Sequence, residues 1–158
     1  MFDHCIYFNT TALARSLERE WASAYKTFGL TPPQGFMLRA VLAKPGIVQS
    51  ELASELAISR STATRTLDGL QKLMFIERRL TASDGRETAI HPTGEALRIK
   101  DSLNAASAAV TKRLKAELGE ERFATTVASV SRVKTIIPSV TNSVMAFSLR
   151  KLRFSSSP

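Results

Sequence analysis

The sequence predicts a mainly helical fold with a small β-hairpin, that is, a winged helix-turn-helix with additional N- and C-terminal helices. Three observations predict it. Apolar residues recur every three or four positions over most of the 158 residues, as in amphipathic helices. Two of the helices are short and joined by about three residues, as in a helix-turn-helix. Directly after them the apolar period changes to two, which indicates a pair of strands.

The N-terminal part of the chain predicts two helices. The first has an apolar stripe before a terminating glycine, Gly29, and comprises Leu13, Leu17, Trp21, Ala24 and Phe28. Thr31 followed by Pro32 is a favourable cap and first turn for the second helix. Its expected buried side consists of Phe36, Met37, Ala40 and Val41. The tripeptide Lys44-Pro45-Gly46 ends this helix.

The central segment predicts the helix-turn-helix itself. A short helix from Val48 to Leu56 is expected to bury Leu52, Ala53 and Leu56. Ser59 caps a second helix, from Arg60 to about Leu73. Its expected inward residues are Ala63, Leu67, Leu70 and Leu73.

A basic hairpin is predicted to follow. Ile76, Arg78 and Leu80 alternate with Glu77 and Arg79, which indicates a strand. A turn over Ala82–Gly85, with Asp84-Gly85 as its strongest signal, leads to a second strand from Glu87 to Ile90.

The segment after Pro92 predicts helices to the end of the chain. One apolar stripe ends at Gly119 and comprises Leu103, Ala106, Val110, Leu114 and Leu118. The next comprises Phe123, Val127, Val130, Val133 and Ile137. Pro138 is expected to break or kink this last helix. These helices carry more apolar surface than a small winged helix can cover, so either they form a homodimer interface or they pack back on their own subunit.

The predicted organisation therefore has a winged lobe inserted in a helical region. We expect residues 31–91 to form the winged helix-turn-helix lobe and residues 1–30 and 92–153 to form the helical dimerisation region. Residues 154–158, which end in Ser-Ser-Ser-Pro, are expected to be a disordered tail.

Charge points to a polyanionic partner, and double-stranded DNA is the leading candidate. The chain has 22 Lys and Arg against 14 Asp and Glu, a net charge of +8. Residues 49–91, however, contain six basic and six acidic side chains. DNA binding by the predicted lobe must therefore come from the arrangement of its charges.

Other classes of protein find little support in the sequence. No apolar run is long enough to span a membrane, and the N-terminus lacks the pattern of a secretory signal. One cysteine and two histidines, His4 and His91, are too few for a structural zinc site. No phosphate-binding loop or nucleophile elbow is present. We therefore expect a cytoplasmic protein that is not an enzyme and has no metal or cofactor.

The predicted DNA contacts come from the helix-turn-helix and the hairpin. A recognition helix reads base edges through its outward, N-terminal face, here Ser59, Arg60, Ser61, Thr62, Thr64 and Arg65. The hairpin and the start of the preceding helix are expected to add Arg78, Arg79, Ser83, Asp84, Arg86, Gln49 and Ser50. Arg86 lies where a hairpin tip would enter a minor groove, and Arg78 and Arg79 lie where the hairpin base would approach phosphates.

One set of motifs in the sequence comprises Leu56 to Arg65, Leu70, Ile76 to Arg79, Asp84 to Arg86 and Gly94. In this order and at this spacing, the motifs resemble the MarR family of bacterial transcription regulators. The resemblance covers about residues 5–150. It implies a homodimer whose terminal helices pair across the two-fold axis and whose winged lobes bind a pseudo-palindromic operator, usually to repress. It also implies that Arg86 enters the minor groove and that Asp84 holds nearby arginines in place. Many members of the family release DNA when a small, often aromatic, anion binds.

Two positions depart from the family pattern. Met74 stands where a glycine usually ends the recognition helix, so it must adopt a left-handed conformation or let the helix fray. His91 stands where a threonine usually caps the helix after the wing.

Two further sets of residues have two interpretations each. Trp21, Tyr25, Phe36 and Met37 either line a pocket for a small aromatic or phenolic effector or belong to the core. Cys5 either senses oxidants, as an N-terminal cysteine does in some relatives, or is a small apolar residue at a dimer interface. A winged helix that binds protein and not DNA is the main rival to the whole interpretation.

Overall fold

The computed structural model describes residues 1–80 and 88–154, and describes side chains as far as residue 137 within those ranges. Its elements in chain order are α1 (Ile6–Tyr25), a 3-10 turn (Lys26–Phe28), α2 (Pro32–Ala43), β1 (Ile47–Val48), α3 (Gln49–Glu55), α4 (Arg60–Lys72), β2 (Ile76–Leu80), β3 (Thr88–Pro92), α5 (Gly94–Leu118) and α6 (Glu120–Phe154). Two compact units are present, Met1–Thr111 and Lys112–Pro158. The first unit thus contains α1 and most of α5 as well as the winged lobe.

The first helix ends as its sequence predicts. Gly29 adopts a left-handed conformation with φ +67° after the 3-10 turn, a backbone geometry that glycine enters without steric cost. Tyr25, the last residue of α1, is fully buried. Its ring lies against Gly35 of α2 so closely that a Cβ at Gly35 would overlap it. Glycine at this position therefore sets the close approach of α1 to α2.

The start of α2 is stabilised by its neighbouring side chains. The backbone N–H of Thr31 donates to Oε1 of Gln34 at 3.0 Å, and Pro32 follows in the first turn, as predicted. Met37 and Val41 are buried as expected. Phe36 is not: it is 39% exposed, because it lies at the edge of the α2 face that packs inward.

The sheet has three strands, not the two of the predicted hairpin. The order is β1-β3-β2, and both pairs are antiparallel. Ile47 of the two-residue β1 lies opposite Ile90, and Arg78 of β2 lies opposite Ile90 from the other side. A strand of two residues has no measurable alternation, so its sequence carries no signal for it.

The helix-turn-helix is formed by α3 and α4. Leu52 and Ala53 of α3 are buried, and Leu56 is partly buried. Ala63, Leu67 and Leu70 of α4 are buried as predicted, whereas Leu73 is 41% exposed. That part of the prediction is wrong because α4 ends at Lys72, so the helical period no longer applies to Leu73.

The two departures from the family pattern have different outcomes. Met74 adopts the left-handed conformation, with φ +60°. His91 does not stand at the cap of α5: it lies in β3 opposite Glu77. The cap is Thr93, whose Oγ1 accepts from the N–H of Ala96 at 3.3 Å and donates to the carbonyl of Met74 at 2.7 Å. The same threonine thus joins the end of α4 to the start of α5.

One core holds the first unit together. Buried side chains from α1 to α5 form a single cluster, with Leu38, Leu52, Leu67, Ile90 and Leu103 at full burial. This cluster fixes one side of α4 in the interior.

The last two helices are separated at Gly119, which has φ +81°. Leu103 and Val110 of α5 are buried, as their stripe predicts. α6 continues through position 138, so the expected break at Pro138 is absent. Within the described part of α6, Val127 and Val130 are 52% and 47% exposed. Phe154 is the last residue of α6, and the rest of the predicted tail lies outside the described residues.

Among the described helices, none is long and apolar enough to cross a lipid bilayer.

Candidate nucleic-acid interface

The N-terminus of α4 carries a cluster of hydroxyl groups on its exposed side. Ser59 caps the helix, because its Oγ accepts from the N–H of Thr62 at 3.1 Å. The same Oγ lies 3.0 Å from Ser61 Oγ and 2.8 Å from Thr62 Oγ1. All three residues are exposed. The first turn of α4 therefore presents small polar groups to solvent, and the capping bonds fix their positions.

A side-chain hydrogen bond joins the exposed face of α4 to α3. Nε2 of Gln49, the first residue of α3, donates to Oγ1 of Thr64 at 2.8 Å. That hydroxyl in turn donates to the carbonyl of Arg60 at 2.9 Å. Ser50 is half-buried at the start of α3. The structure thus brings Gln49 and Thr64, two predicted contact residues, directly together.

Two arginines of α4 are exposed to solvent. Arg60 and Arg65 are both exposed, and within the described residues neither side chain has a hydrogen bond or an ion pair. A guanidinium without an internal partner keeps its donors available for a phosphate or a guanine edge. Ala63 and Leu67 are fully buried on the inner side of the helix, and the helical period places Arg65 opposite them.

The arginines of β2 have different surroundings. Arg79 is exposed and pairs with Glu77 of the same strand. Arg78, expected to lie near phosphates, instead donates to Asp68 and Gln71 of α4, at 2.7 Å each. The other predicted wing residues, Ser83, Asp84 and Arg86, lie outside the described residues.

An ion cluster joins the end of α2 to α3. Lys44 pairs with Glu51 and, at 3.7 Å, with Glu55. The hydrogen bond to Glu51 and the two negative charges raise the pKa of Lys44 above its ordinary value. The pairs are exposed to solvent and contribute little to stability.

The four aromatic and apolar residues considered for an effector form two groups. Tyr25 and Met37 are core residues, fully buried or nearly so. Phe36 is partly exposed, with its ring centre 5.8 Å from that of Trp21 and 5.9 Å from that of Tyr25. Among the described side chains, only the Tyr25 hydroxyl is buried without a hydrogen-bond partner.

An open groove of about 380 Å³ lies beside this cluster. Phe36 and Met37 line it, whereas Trp21 and Tyr25 do not. Its other side is formed by the α3–α4 connection and by α4 itself, through Ile58, Thr62 and Thr66. The groove therefore reaches α4 at Thr62, one of the exposed hydroxyl residues of its first turn.

A polar cluster that the sequence did not reveal lies near the same aromatic residues. Arg39 of α2 donates to Asn104 at 2.8 Å and to Ser107 at 2.7 Å, both in α5. Trp21 of α1 donates to the same Ser107 hydroxyl at 3.1 Å. The Arg39 guanidinium also lies 5.7 Å from the centre of the Phe36 ring. Pairs separated by 65 to 86 residues leave no local pattern, so sequence spacing cannot predict them.

Cys5 lies just before α1 and is exposed as a free thiol. Its neighbour Tyr7 is also exposed, whereas Tyr25 is buried. Among the described residues, no group of three or more Cys, His, Asp or Glu side chains has a geometry that could hold a metal ion.

Known proteins match this chain by family and by fold. Residues 28–87 match the model of the MarR family. No curated protein matches the chain. Among solved structures, the transcriptional regulator SlyA is 22% identical with a TM-score of 0.77, over 89% of this chain and 99% of that one. MepR of S. aureus, solved with DNA, is 19% identical with a TM-score of 0.75, over 82% and 96%.

A third similar structure is the PcaV transcriptional regulator of Streptomyces coelicolor, solved with its natural ligand. It is 25% identical with a TM-score of 0.68, over 78% of this chain and 89% of that one. The match of residues 28–87 spans the helix-turn-helix, β1 and β2, and the shared fold extends to most of the chain. The chain therefore has a winged-helix fold, and its residues 28–87 are similar to the MarR family.

Proposed function

We propose that the protein is a sequence-specific DNA-binding transcription regulator that acts as a homodimer. The observation that carries this proposal is the exposed face of α4. It combines capped hydroxyls with two arginines that have no side-chain partner among the described residues. Short hydroxyls and arginines at the N-terminus of a helix suit contact with base edges and phosphates in a major groove. The DNA complex of the similar MepR supports this use of the fold.

The proposal makes the protein a dimer because α1 and α6 leave apolar side chains exposed in the single chain. Ile6, Tyr7 and Leu13 of α1 are 43–76% exposed, and Val127 and Val130 of α6 are about half exposed. Apolar faces of this extent usually mark an interface. Two copies of the winged lobe related by two-fold symmetry then fit two half-sites of a pseudo-palindromic operator. Binding there blocks transcription, so the regulator acts as a repressor.

The groove beside Phe36 makes a small effector part of the proposal. It is mostly apolar, it is lined by Phe36 and Met37, and it also contacts Thr62 and Thr66 of α4. A small aromatic or phenolic molecule seated there would contact the recognition helix at Thr62 and Thr66 and lower its affinity for DNA. The ligand complex of PcaV supports a small-molecule effector.

The test uses the full-length protein and DNA from its own genome. We expect it to retain a small set of fragments, among them the region upstream of its own gene, and to shift them in a gel. Its affinity for these fragments should fall steeply with salt, with a logarithmic slope of several units, because each phosphate contact releases counterions. Binding that is weak, and equal for every fragment, would contradict a sequence-specific regulator and would favour a winged helix that binds protein.

A further inference from the structure

The arginine at the centre of β2 connects two elements of the proposed DNA-binding surface. Nη2 of Arg78 lies 2.7 Å from Oδ1 of Asp68, and Nη1 lies 2.7 Å from Oε1 of Gln71. Asp68 and Gln71 are three residues apart, so they lie on the same side of α4. Because two different nitrogens are held by two different residues, the guanidinium is fixed in both position and orientation.

Strand geometry explains why Arg78 faces α4. Side chains alternate along a strand, so Ile76, Arg78 and Leu80 share one face of β2. Ile76 is buried on that face, next to the core that holds α4. Arg78 is accordingly 26% exposed at its side chain, whereas its neighbour Arg79 is 61% exposed.

The comparison with Arg79 separates two roles for neighbouring residues of the same type. Arg79 pairs with Glu77, two residues away on its own strand, so this contact joins no other element. Arg78 pairs with residues of a different element, ten and seven positions away. Breaking the Arg79 pair frees a cation for solvent or DNA, whereas breaking the Arg78 pair removes a polar link between β2 and α4.

We propose that Arg78 is a positioning residue that sets the angle between the recognition helix and the strand that leads into the wing. It does so through Asp68 and Gln71 and does not contact phosphate. This inference rests on the proposed function, since it concerns how α4 and the wing reach the same DNA site. If α4 and the wing are held at a fixed spacing before DNA binds, fewer residues have to become ordered on binding, and the affinity for DNA is higher.

A neutral residue at position 68 distinguishes a phosphate contact by Arg78 from a positioning role, because the two roles predict opposite changes in DNA affinity. Asp68→Asn removes a negative charge close to the DNA. If Arg78 contacted phosphate, this change would free it and tighten binding. The positioning role predicts weaker binding, by about tenfold, since a charge-assisted bond that orients the wing is lost. Glu77→Gln is the matched control. It removes the negative charge of Glu77, the partner of Arg79, and should leave the affinity for DNA unchanged or raise it.

Two further measurements complete the test at a temperature well below the melting point of every variant. Arg78→Ala should weaken binding about as much as Asp68→Asn, with an unchanged salt slope, and the double variant should be no weaker than either single one. Hydroxyl-radical footprints should lose protection at the outer ends of the site, where the wing is expected, and keep it at the centre. A loss of stability alone would not move protection in this selective way.

The outcomes separate this inference from the proposed function. A parent protein that binds no DNA fragment specifically overturns both. A parent that binds, with Asp68→Asn binding more tightly or Arg78→Ala reducing the salt slope by about one unit, overturns only the positioning role. If either variant fails to fold, Gln71→Met, which removes one of the two bonds and no charge, should still weaken binding and shorten the footprint. Unchanged affinity and footprint in Gln71→Met would then contradict the inference.

Discussion

Both α4 and α6 expose a large part of their surface, but with opposite chemistry. The exposed surface of α4 carries hydroxyls and two arginines, whereas its apolar residues Ala63, Leu67 and Leu70 are buried. The described part of α6 exposes Val127 and Val130. Exposed polar groups fixed by capping bonds suit a partner that is itself polar, such as DNA. Exposed apolar groups suit a partner that removes them from water, such as a second copy of the chain.

The largest expected effect concerns the apolar face of α6. Replacing Val127 and Val130 together by Asp should weaken the homodimer by about a thousandfold or more, because each buried valine contributes roughly 1.5–3 kcal/mol and a charge cannot replace it. Sedimentation equilibrium measures the dimer dissociation constant. Ser129→Asp, on the other side of the helix, is the control and should leave the dimer intact. A double variant that stays dimeric at the parent's concentrations would contradict the role given to this face.

The next effect concerns the inner side of α4. Leu67 is fully buried, so Leu67→Ala should lower the free energy of unfolding by about 2–5 kcal/mol through lost burial and a residual cavity. Chemical denaturation measures this change. Thr66→Ala, at the neighbouring and partly exposed position, should cost less than about 1 kcal/mol. Equal costs at the two positions would show that α4 does not bury the side inferred from its apolar period.

The smallest effect concerns the cap of α4. Ser59→Ala removes the acceptor for the N–H of Thr62 and should destabilise the protein by about 1 kcal/mol. The melting temperature should then fall by roughly 2–4 °C. Ser61→Ala is the control, because among the described contacts the Ser61 hydroxyl accepts no backbone N–H. This variant should lower the melting temperature less. An unchanged melting temperature in Ser59→Ala would mean that another group satisfies the same N–H.

The difference between α4 and the sheet also explains what the sequence could predict. The period of Ala63, Leu67 and Leu70 predicts both the bounds of α4 and its buried side, because thirteen residues give several turns of a regular pattern. The two residues of β1 give none, so the third strand was missed. Leu73 was assigned to the core by extending the same period past the end of the helix, where the left-handed Met74 has already redirected the chain.

Contacts between distant residues account for the rest. Arg78 was expected at phosphates because the sequence shows its charge but not Asp68 and Gln71 across from it. The cap of α5 was assigned to position 91, yet the strand continues to Pro92 and Thr93 makes the capping bond. Arg39 bonds to Asn104 and Ser107 only because α2 and α5 pack together. The sequence thus predicts which faces are inward, and tertiary packing decides which exposed charges remain available.

The account's central claim is that the exposed, N-terminal face of α4 binds DNA, and two single substitutions test it most directly. Arg65→Ala and Lys72→Ala each remove one positive charge from an exposed position of the same helix, in its first half and at its last residue. Titration of a retained DNA fragment over a range of salt concentrations gives, for both variants, the affinity for DNA and its logarithmic dependence on salt concentration. We expect Arg65→Ala to lose about 1–3 kcal/mol of binding free energy and Lys72→Ala to bind nearly as the parent does. Equal losses in the two variants, or no loss in Arg65→Ala, would contradict the claim.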